Sequence, residues 1–388
     1  MKRLTVSFFL FTLILNCLQG QSDTLKWKDK LKWNGYVRYM GSRTSSMMLP
    51  EDQYNHLIHN RINLKYKFNR KSQLRLELRN RAFFGTQLAN GGYQYLADGL
   101  DADAGFVDMA FQLITDEHVL LNSTVDRLWY AVNKGSWELN IGRQRINWGI
   151  NYLWNSNDVF NAYAFTDFDY TERPGSDAIR ITRYMKKMRR WEVALKPNQD
   201  VEKGVYGAKY NWNKWNYDFQ VIGGWMQENV FFGQGWAGNI KNFGFKGESN
   251  LFYHETEGVD LSFSAGLDYI FGNQTMLSAG YLLNTNFFNQ DVSLLNGLPT
   301  SSLSAKNLMP VPHALYVQST YPVNPLLSAT MVAVVIPGAK GVFLMPSLSY
   351  SSSNNTEISM FMQLMEGQYQ NEWQNLFNSV FLRGALNF

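Results

Sequence analysis

The chain has 388 residues, of which 45% are hydrophobic, 15% aromatic and 18% charged, with a formal net charge of +4. Charge well below the roughly 25% of an average soluble domain, beside so many aromatics, excludes a disordered chain and a coiled coil. The single cysteine, Cys17, excludes disulfides within the chain and cysteine-based metal sites, and beyond the extreme N-terminus no apolar run approaches the roughly 20 residues of a spanning helix.

Lys2 and Arg3 precede an uncharged stretch, residues 4–15, followed by Cys17, Gly20 and a polar run. This order of charged, apolar and small residues reads as a secretory signal peptide over residues 1–20, cut after Gly20. Cys17 lacks the small preceding residue of a lipidated cysteine. Residues 21–388 then form one domain, since no linker, repeat or low-complexity tract divides them. From Trp33 onward apolar and polar residues alternate. Ile58, Ile62, Leu64 and Tyr66 share one face of a segment, and His59, Arg61, Lys65 and Lys67 share the other. Val259, Leu261, Phe263 and Leu267 alternate in the same way with Asp260, Ser262, Ser264 and Asp268. Period 2 means strands with one apolar and one polar face. Many segments run about 10 residues, the length of a transmembrane strand rather than the ~5–6 of a soluble one. Short turns alternate with long connections at 85–123, 148–176 and 285–310, the asymmetry of a membrane barrel. Eighteen segments can be counted, and sixteen if one pair is miscounted. The count stays even only if 229–253 holds two strands turning near 238–242. The fold class is therefore all-β, a single transmembrane antiparallel barrel. The last segment ends on Phe388, similar to the terminal aromatic strand read by the barrel-assembly machinery.

A charge on the lipid face costs ~2–4 kcal/mol near the midplane, so the polar face should point inward. The inward set of the first three strands then includes Arg38, Arg61, Lys65, Arg75, Glu77, Arg79 and Arg81. Residues 23–200 hold 26 Lys and Arg against 20 Asp and Glu, whereas residues 201–388 hold 8 against 12. One wall should be basic. The inward residues of the second half, such as Ser278, Gln318, Thr330, Ser347 and Gln363, are small and polar. The surplus arginine predicts a wall that favours anions, and cross-strand Arg–Glu pairing that only holds the barrel in shape is the competing reading.

Residues 141–180 are the most distinctive stretch. Arg143 and Arg145 share the parity of the lipid-facing Trp137, Leu139 and Ile141, so a β-bulge at Gly142 is expected to turn them inward. The loop that follows is too aromatic for a free surface loop and should fold into the barrel mouth. There its acids, chiefly Asp167, Asp169 and Glu172, would face Arg143, Arg145 and Arg180 in a constriction. Asp167, Asp169 and Glu172 could also hold Ca²⁺, but ion pairing is the preferred reading and no metal site is expected. The run GRQR, WG, W-N-x-x-D-x-F-N, F-D-Y and E-R-P-G-x-D-A-x-R, from Gly142 to Arg180, resembles the central segment of porin-like outer-membrane β-barrels of Gram-negative bacteria, whose architecture is similar to 18-stranded alginate-export and specific porins. The resemblance implies an outer-membrane location and carries no catalytic residue and no cofactor. The five histidines form no zinc-like pair with an acid and no Ser-His-acid set, so an enzyme is not expected. The expected function is a channel for passive or substrate-specific passage of small anionic or polar solutes. The alternative is a closed barrel acting in surface binding or complex assembly. Expected partners are outer-membrane lipids, the barrel-assembly machinery, small solutes and an outer-membrane protein in the closed-barrel case, with no nucleic acid.

Overall fold

The computed structural model describes residues 27–47, 49–101, 103, 105–162, 172–288 and 304–388. The signal peptide read at residues 1–20 lies outside them. The chain forms one antiparallel sheet. Its strands are β1 Leu31–Ser46, β2 Gln53–Lys67, β3 Ser72–Gly85, β4 Ala110–Thr115, β5 Leu120–Lys134, β6 Trp137–Gln144 and β7 Ser176–Tyr184. The sheet continues with β8 Arg190–Lys196, β9 Val205–Lys214, β10 Tyr217–Met226, β11 Asn229–Ile240, β12 Phe243–His254 and β13 Gly258–Ile270. It ends with β14 Met276–Asn284, β15 His313–Asn324, β16 Leu327–Ile336, β17 Gly341–Ser351, β18 Thr356–Tyr369 and β19 Glu372–Asn387. β19 pairs back onto β1 from Tyr36↔Asn387 to Ser46↔Phe377, which closes the sheet. Eighteen strands make the closed wall. The nineteenth, β4, is an addition the alternation did not reveal: it pairs only with the upper part of β5, above the point where β6 stops. A helix at Gly92–Asp101 precedes it in the same long connection.

Local chemistry sets the connections. At the short-turn end the β9–β10 connection reverses within two residues: Trp215 and Asn216, at φ 55° and 60°, both take the left-handed conformation of a tight hairpin turn whose twist matches the strands. The reversal expected within 238–242 falls at Lys241 and Asn242, between β11 and β12. At the other end lie the long connections. Large apolar side chains cover the outside, among them Ile179, Leu195, Phe232, Leu267, Val317, Met360 and Leu382, each more than a third exposed. Burying such a belt in lipid rather than water removes the hydrophobic cost of showing it.

The inside differs from the expected polar lining. On the inner face of the second half, Ser278, Ser359 and Gln363 are buried as the alternation requires. Nearer the long-loop end the same face turns apolar, with Leu282, Tyr316, Val334, Phe343 and Met345 packed together. These residues pack against Trp154, which arrives from the connection after β6. The cores of this molecule therefore sit inside the barrel, between its wall and an inserted segment.

Candidate functional site

The strand register builds a basic patch on the inner wall, row by row. Lys32 lies opposite Lys65, which lies opposite Arg75; Tyr36, Arg61 and Arg79 form a second row, and Arg38, His59 and Arg81 a third. Glu77, opposite Asn63, is the acid in this grid. A second acid enters by a bulge: the β3–β5 register shifts between Glu77 and Leu78, so that Arg127 and Val125 are the successive partners and Asp126 is the extra residue. The fully buried Arg61 binds Asp126 and, at 2.6 Å, Glu77. Arg79 reaches Asp126 at 3.1 Å and Arg127 reaches Glu77 at 3.3 Å. Buried charges persist only when paired and hydrogen-bonded, and this network meets that condition. The other arginines of the grid lie over aromatic faces: Arg38 is 3.7 Å from the Tyr36 ring centre, Arg75 is 5.3 Å from that of Trp129, and Arg81 is 5.6 Å from that of Phe83.

Gly142 decides where Arg143 goes, by a route other than the expected bulge. The β5–β6 register runs unbroken through Trp129↔Gly142 and Leu128↔Arg143. What changes is the backbone: Gly142 has φ +115°, and a Cβ there would stand 2.3 Å from the Leu128 carbonyl oxygen. Only glycine fits, and the twist at this point accompanies the inward turn of Arg143. The guanidinium forks onto Asp177 at 2.7 and 3.0 Å, reaches Asp103 at 2.7 Å and donates to the Val107 carbonyl at 2.6 Å. Burial pushes the Asp103 carboxyl up, but the hydrogen bonds from Arg143 and from the backbone N–H groups of Met109 and Gly105 outweigh it and hold it below its ordinary range.

After β6 the chain crosses the barrel as a strap, residues 145–162. Its fastening is polar at the backbone and apolar at the side chains. Glu248 of β12, fully buried, accepts N–H groups from Ile150, from Asn151 at 2.7 Å and from Asn157 at 2.8 Å. Asn250 donates to the Ser156 carbonyl, Ser264 to the Trp154 carbonyl and Gln220 to the Trp148 carbonyl. Trp148 and Phe160 pack edge to face, with ring centres 4.8 Å apart, in a core with Ile222, Phe231 and Phe252 of the wall. Asp158 is buried in the strap with Arg173 at 3.3 Å; burial pushes its carboxyl up to about 6, against the pull of Arg173.

The residues expected to form a constriction are thus only partly brought together. Arg143 takes Asp103 and Asp177 rather than the loop acids, and Arg180 takes Glu138 at 3.1 Å. Glu172 accepts from Tyr36 of β1 at 2.9 Å. The physical reason is proximity: Asp177 is the direct cross-strand partner of Arg143, and Glu138 lies beside Arg180 across the same strand pair. Asp167 and Asp169 lie outside the described residues. Arg145 lines a lumen recess with Arg180 on the short-turn side of the strap. Sequence reasoning missed Asp126, Asp103, Glu138 and Glu248. The alternation does put Glu138 on the inner face, but Asp126 is visible only once its bulge is known, and nothing in the sequence shows that the strap ends on Glu248.

No protein-family model matches the chain, and no curated protein matches it either. Solved structures do. The chain is similar to OccK3 (OpdO) of Pseudomonas aeruginosa with a TM-score of 0.57 at 10% identity, over 93% of this chain and 96% of that one. It is similar to OccK7 (OpdD) of the same organism at 0.54 and 9%, over 92% and 99%, and to OccAB3 of Acinetobacter baumannii at 0.54 and 11%, over 92% and 99%. Those proteins are outer-membrane porins. The likeness establishes the fold, a closed 18-stranded barrel.

Proposed function

We propose that this protein is an outer-membrane porin that passes small polar or anionic solutes, surrounded by outer-membrane lipid and delivered there by the signal peptide at residues 1–20 and the barrel-assembly machinery. The observation that carries this reading is the basic inner wall: cations stand in three of the four inward register rows of β1–β3, whereas the inner face of β16 and β17 carries Ser328, Thr330, Ser347 and Ser349 toward its short-turn end. The strap narrows the passage beside that wall, so solutes pass close to Arg38, Lys65, Arg75 and Arg81. Arg61, Glu77 and Arg79 hold the wall in shape, and Arg143, Arg145, Arg180 and Glu172 line the regions around the strap. The fold similarity supports a channel, and catalysis has no role in this reading. Insertion of purified protein into planar bilayers tests it. Discrete conductance steps are expected, and insertion with no conductance overturns the reading. One observation favours a closed barrel used for binding or assembly instead: the strap carries two apolar cores inside the lumen. A silent barrel that copurifies with a stoichiometric outer-membrane partner would decide for that alternative.

A further inference from the structure

The short turns are charged on one side of the barrel only. Each of the five between β2 and β12 holds or adjoins a lysine or arginine, and none holds an acid. The three between β13 and β18, residues 271–275, 325–326 and 352–355, hold no charge. The opposite end does not share the pattern: its β10–β11 and β12–β13 turns carry Glu228, Glu255 and Glu257. Short turns face the periplasm, so the basic arc lies at the headgroup level of the periplasmic leaflet. Strand register turns part of this arc outward. Lys134 lies opposite Trp137, Trp137 opposite Arg183, Arg183 opposite Trp191 and Trp191 opposite Tyr210. Cross-strand partners share a face, and this row shares that of the lipid-facing Ile179 and Ile181. Cations thus alternate with aromatic rings along the interface. The Arg183 guanidinium lies 5.1 Å from the Trp137 ring centre, and Trp137 packs edge to face on Trp191 at 5.2 Å. Beyond Tyr210 on the same strand, Trp212 stacks on it at 5.6 Å, and Lys214 ends the strand with its ammonium 4.0 Å from the Trp215 ring centre. Between β5 and β10 this end of the wall has two carboxylates, both on the inner face: Glu138 takes Arg180 and the Tyr184 hydroxyl, and Asp218 accepts from Asn213. Among the described residues no carboxylate pairs with Lys134, Arg183 or Lys214.

We infer that the outward row of β5 to β9 is a binding surface for anionic phospholipid of the periplasmic leaflet, with Lys134, Arg183 and Lys214 on the phosphate diesters and Trp137, Trp191 and Trp212 against the glycerol and upper acyl chains. The inference goes beyond the channel reading and holds whether or not the barrel conducts. A cation with a ring on one side and no carboxylate on the other keeps donors for an anion arriving from the membrane, and the arginine fork fits phosphate. Lipid is favoured over a periplasmic polymer because these cations stand beside the girdle rings on the outward face, where lipid packs; a polymer would meet the turn tips. A zwitterionic headgroup brings its own ammonium against the arc, whereas a phosphatidylglycerol headgroup brings net negative charge.

Native mass spectrometry of the purified barrel, released from detergent micelles, tests the inference with dioleoylphosphatidylglycerol, dioleoylphosphatidylcholine and a soluble peptidoglycan fragment as probes. Phosphatidylglycerol should bind at least about fivefold tighter than phosphatidylcholine, the gain from a single cation beside anionic lipid. The difference should shrink as ammonium acetate rises from about 0.1 M to about 1 M. Arg183→Gln and, separately, Lys134→Gln should each lower the phosphatidylglycerol affinity about fivefold and leave phosphatidylcholine unchanged, whereas Lys340→Gln, in the β16–β17 turn at the opposite end, should change neither. Heat-modifiable gel migration identifies folded barrels, and only these are compared. Equal affinity for the two phospholipids, no loss in either outward variant, or an equal loss in Lys340→Gln overturns the site. Tighter binding of the peptidoglycan fragment than of phosphatidylglycerol, lost in the same variants, assigns the arc to the cell-wall polymer and overturns the lipid reading. A barrel silent in bilayers that keeps the lipid preference overturns the porin reading and leaves the site. A conducting barrel without the preference does the reverse.

Discussion

Two residues show how single positions hold charge inside this barrel. Gly142 carries the φ of +115° beside Arg143, and an added Cβ would meet the Leu128 carbonyl oxygen at 2.3 Å. Gly142→Ala should therefore cost on the order of 1–3 kcal/mol of backbone strain. It should also loosen the Arg143–Asp177 fork, which would show as a lower thermal midpoint and faster proteolysis near residue 105; an unchanged midpoint would count against the assigned role. Asp158 offers a pH test. Burial raises its carboxyl to about 6 from an ordinary 3.8, so it binds its proton more tightly in the folded state than in the unfolded one. Its contribution to stability is then full below pH 3.8 and is lost as pH rises through about 6. Hydrogen exchange of the strap amides, corrected for intrinsic rates, should slow when the pH is lowered from 7.5 to 5, and Asp158→Asn should reduce that response. A response of the same size in the variant would assign the titration to another group.

Among the elements, the strap is the part that gives the lumen its shape, and three of its backbone N–H groups converge on one side chain. Glu248 accepts three backbone N–H groups that have no other partner shown in the wall. Hydrogen bonds to a charged acceptor contribute about 1.5–3 kcal/mol each, and orphaned donors cost a similar amount. Glu248→Ala should free residues 150–157 without unfolding the barrel, seen as larger and noisier single-channel conductance with unchanged heat-modifiable migration. Conductance identical to that of the parent protein would show that the apolar cores alone hold the strap. The wall itself was legible in the sequence because along most strands the alternation is dictated by two surroundings, lipid outside and a polar lumen inside; where the inner face packs on the strap instead it turns apolar. The strap was legible as an inserted aromatic loop. Its anchors were not, because Glu248 sits about 90 residues away and nothing local distinguishes it from any other inward acid. β4 escaped for a related reason: Phe111, Leu113 and Ile114 do not alternate, since this short strand is covered on neither face as the wall strands are. The pairing of Arg143 shows the limit most clearly. The sequence placed it beside acids, but which acids depends on a register that only the closed sheet fixes.

At the scale of the whole molecule, the distribution of charge sets what the lumen attracts. Residues 201–388 hold 8 Lys and Arg against 12 Asp and Glu, and Arg383 is the arginine among them, so the basic field comes from the wall built by the first half. Within that wall the rows are unequal. Arg61 and Arg79 share Glu77 and Asp126, and their field is largely cancelled at close range. The row Lys32–Lys65–Arg75 has no carboxylate in its register and should supply most of the residual potential. Such a potential is screened over about 10 Å at 0.1 M salt and about 3 Å at 1 M. A KCl gradient around 0.1 M should therefore give a reversal potential of anionic sign that shrinks toward zero at 1 M. Lys65→Glu with Arg75→Glu should reverse the preference, because it turns a row of three cations into one cation and two carboxylates. Arg61→Gln should leave selectivity nearly unchanged and instead lower stability by up to about 3–5 kcal/mol, since it leaves buried Glu77 with Arg127 and buried Asp126 with Arg79 as their remaining cations. Cation preference in the unaltered protein, or a reversal potential unmoved by the double charge reversal, would place the selectivity elsewhere than on this wall.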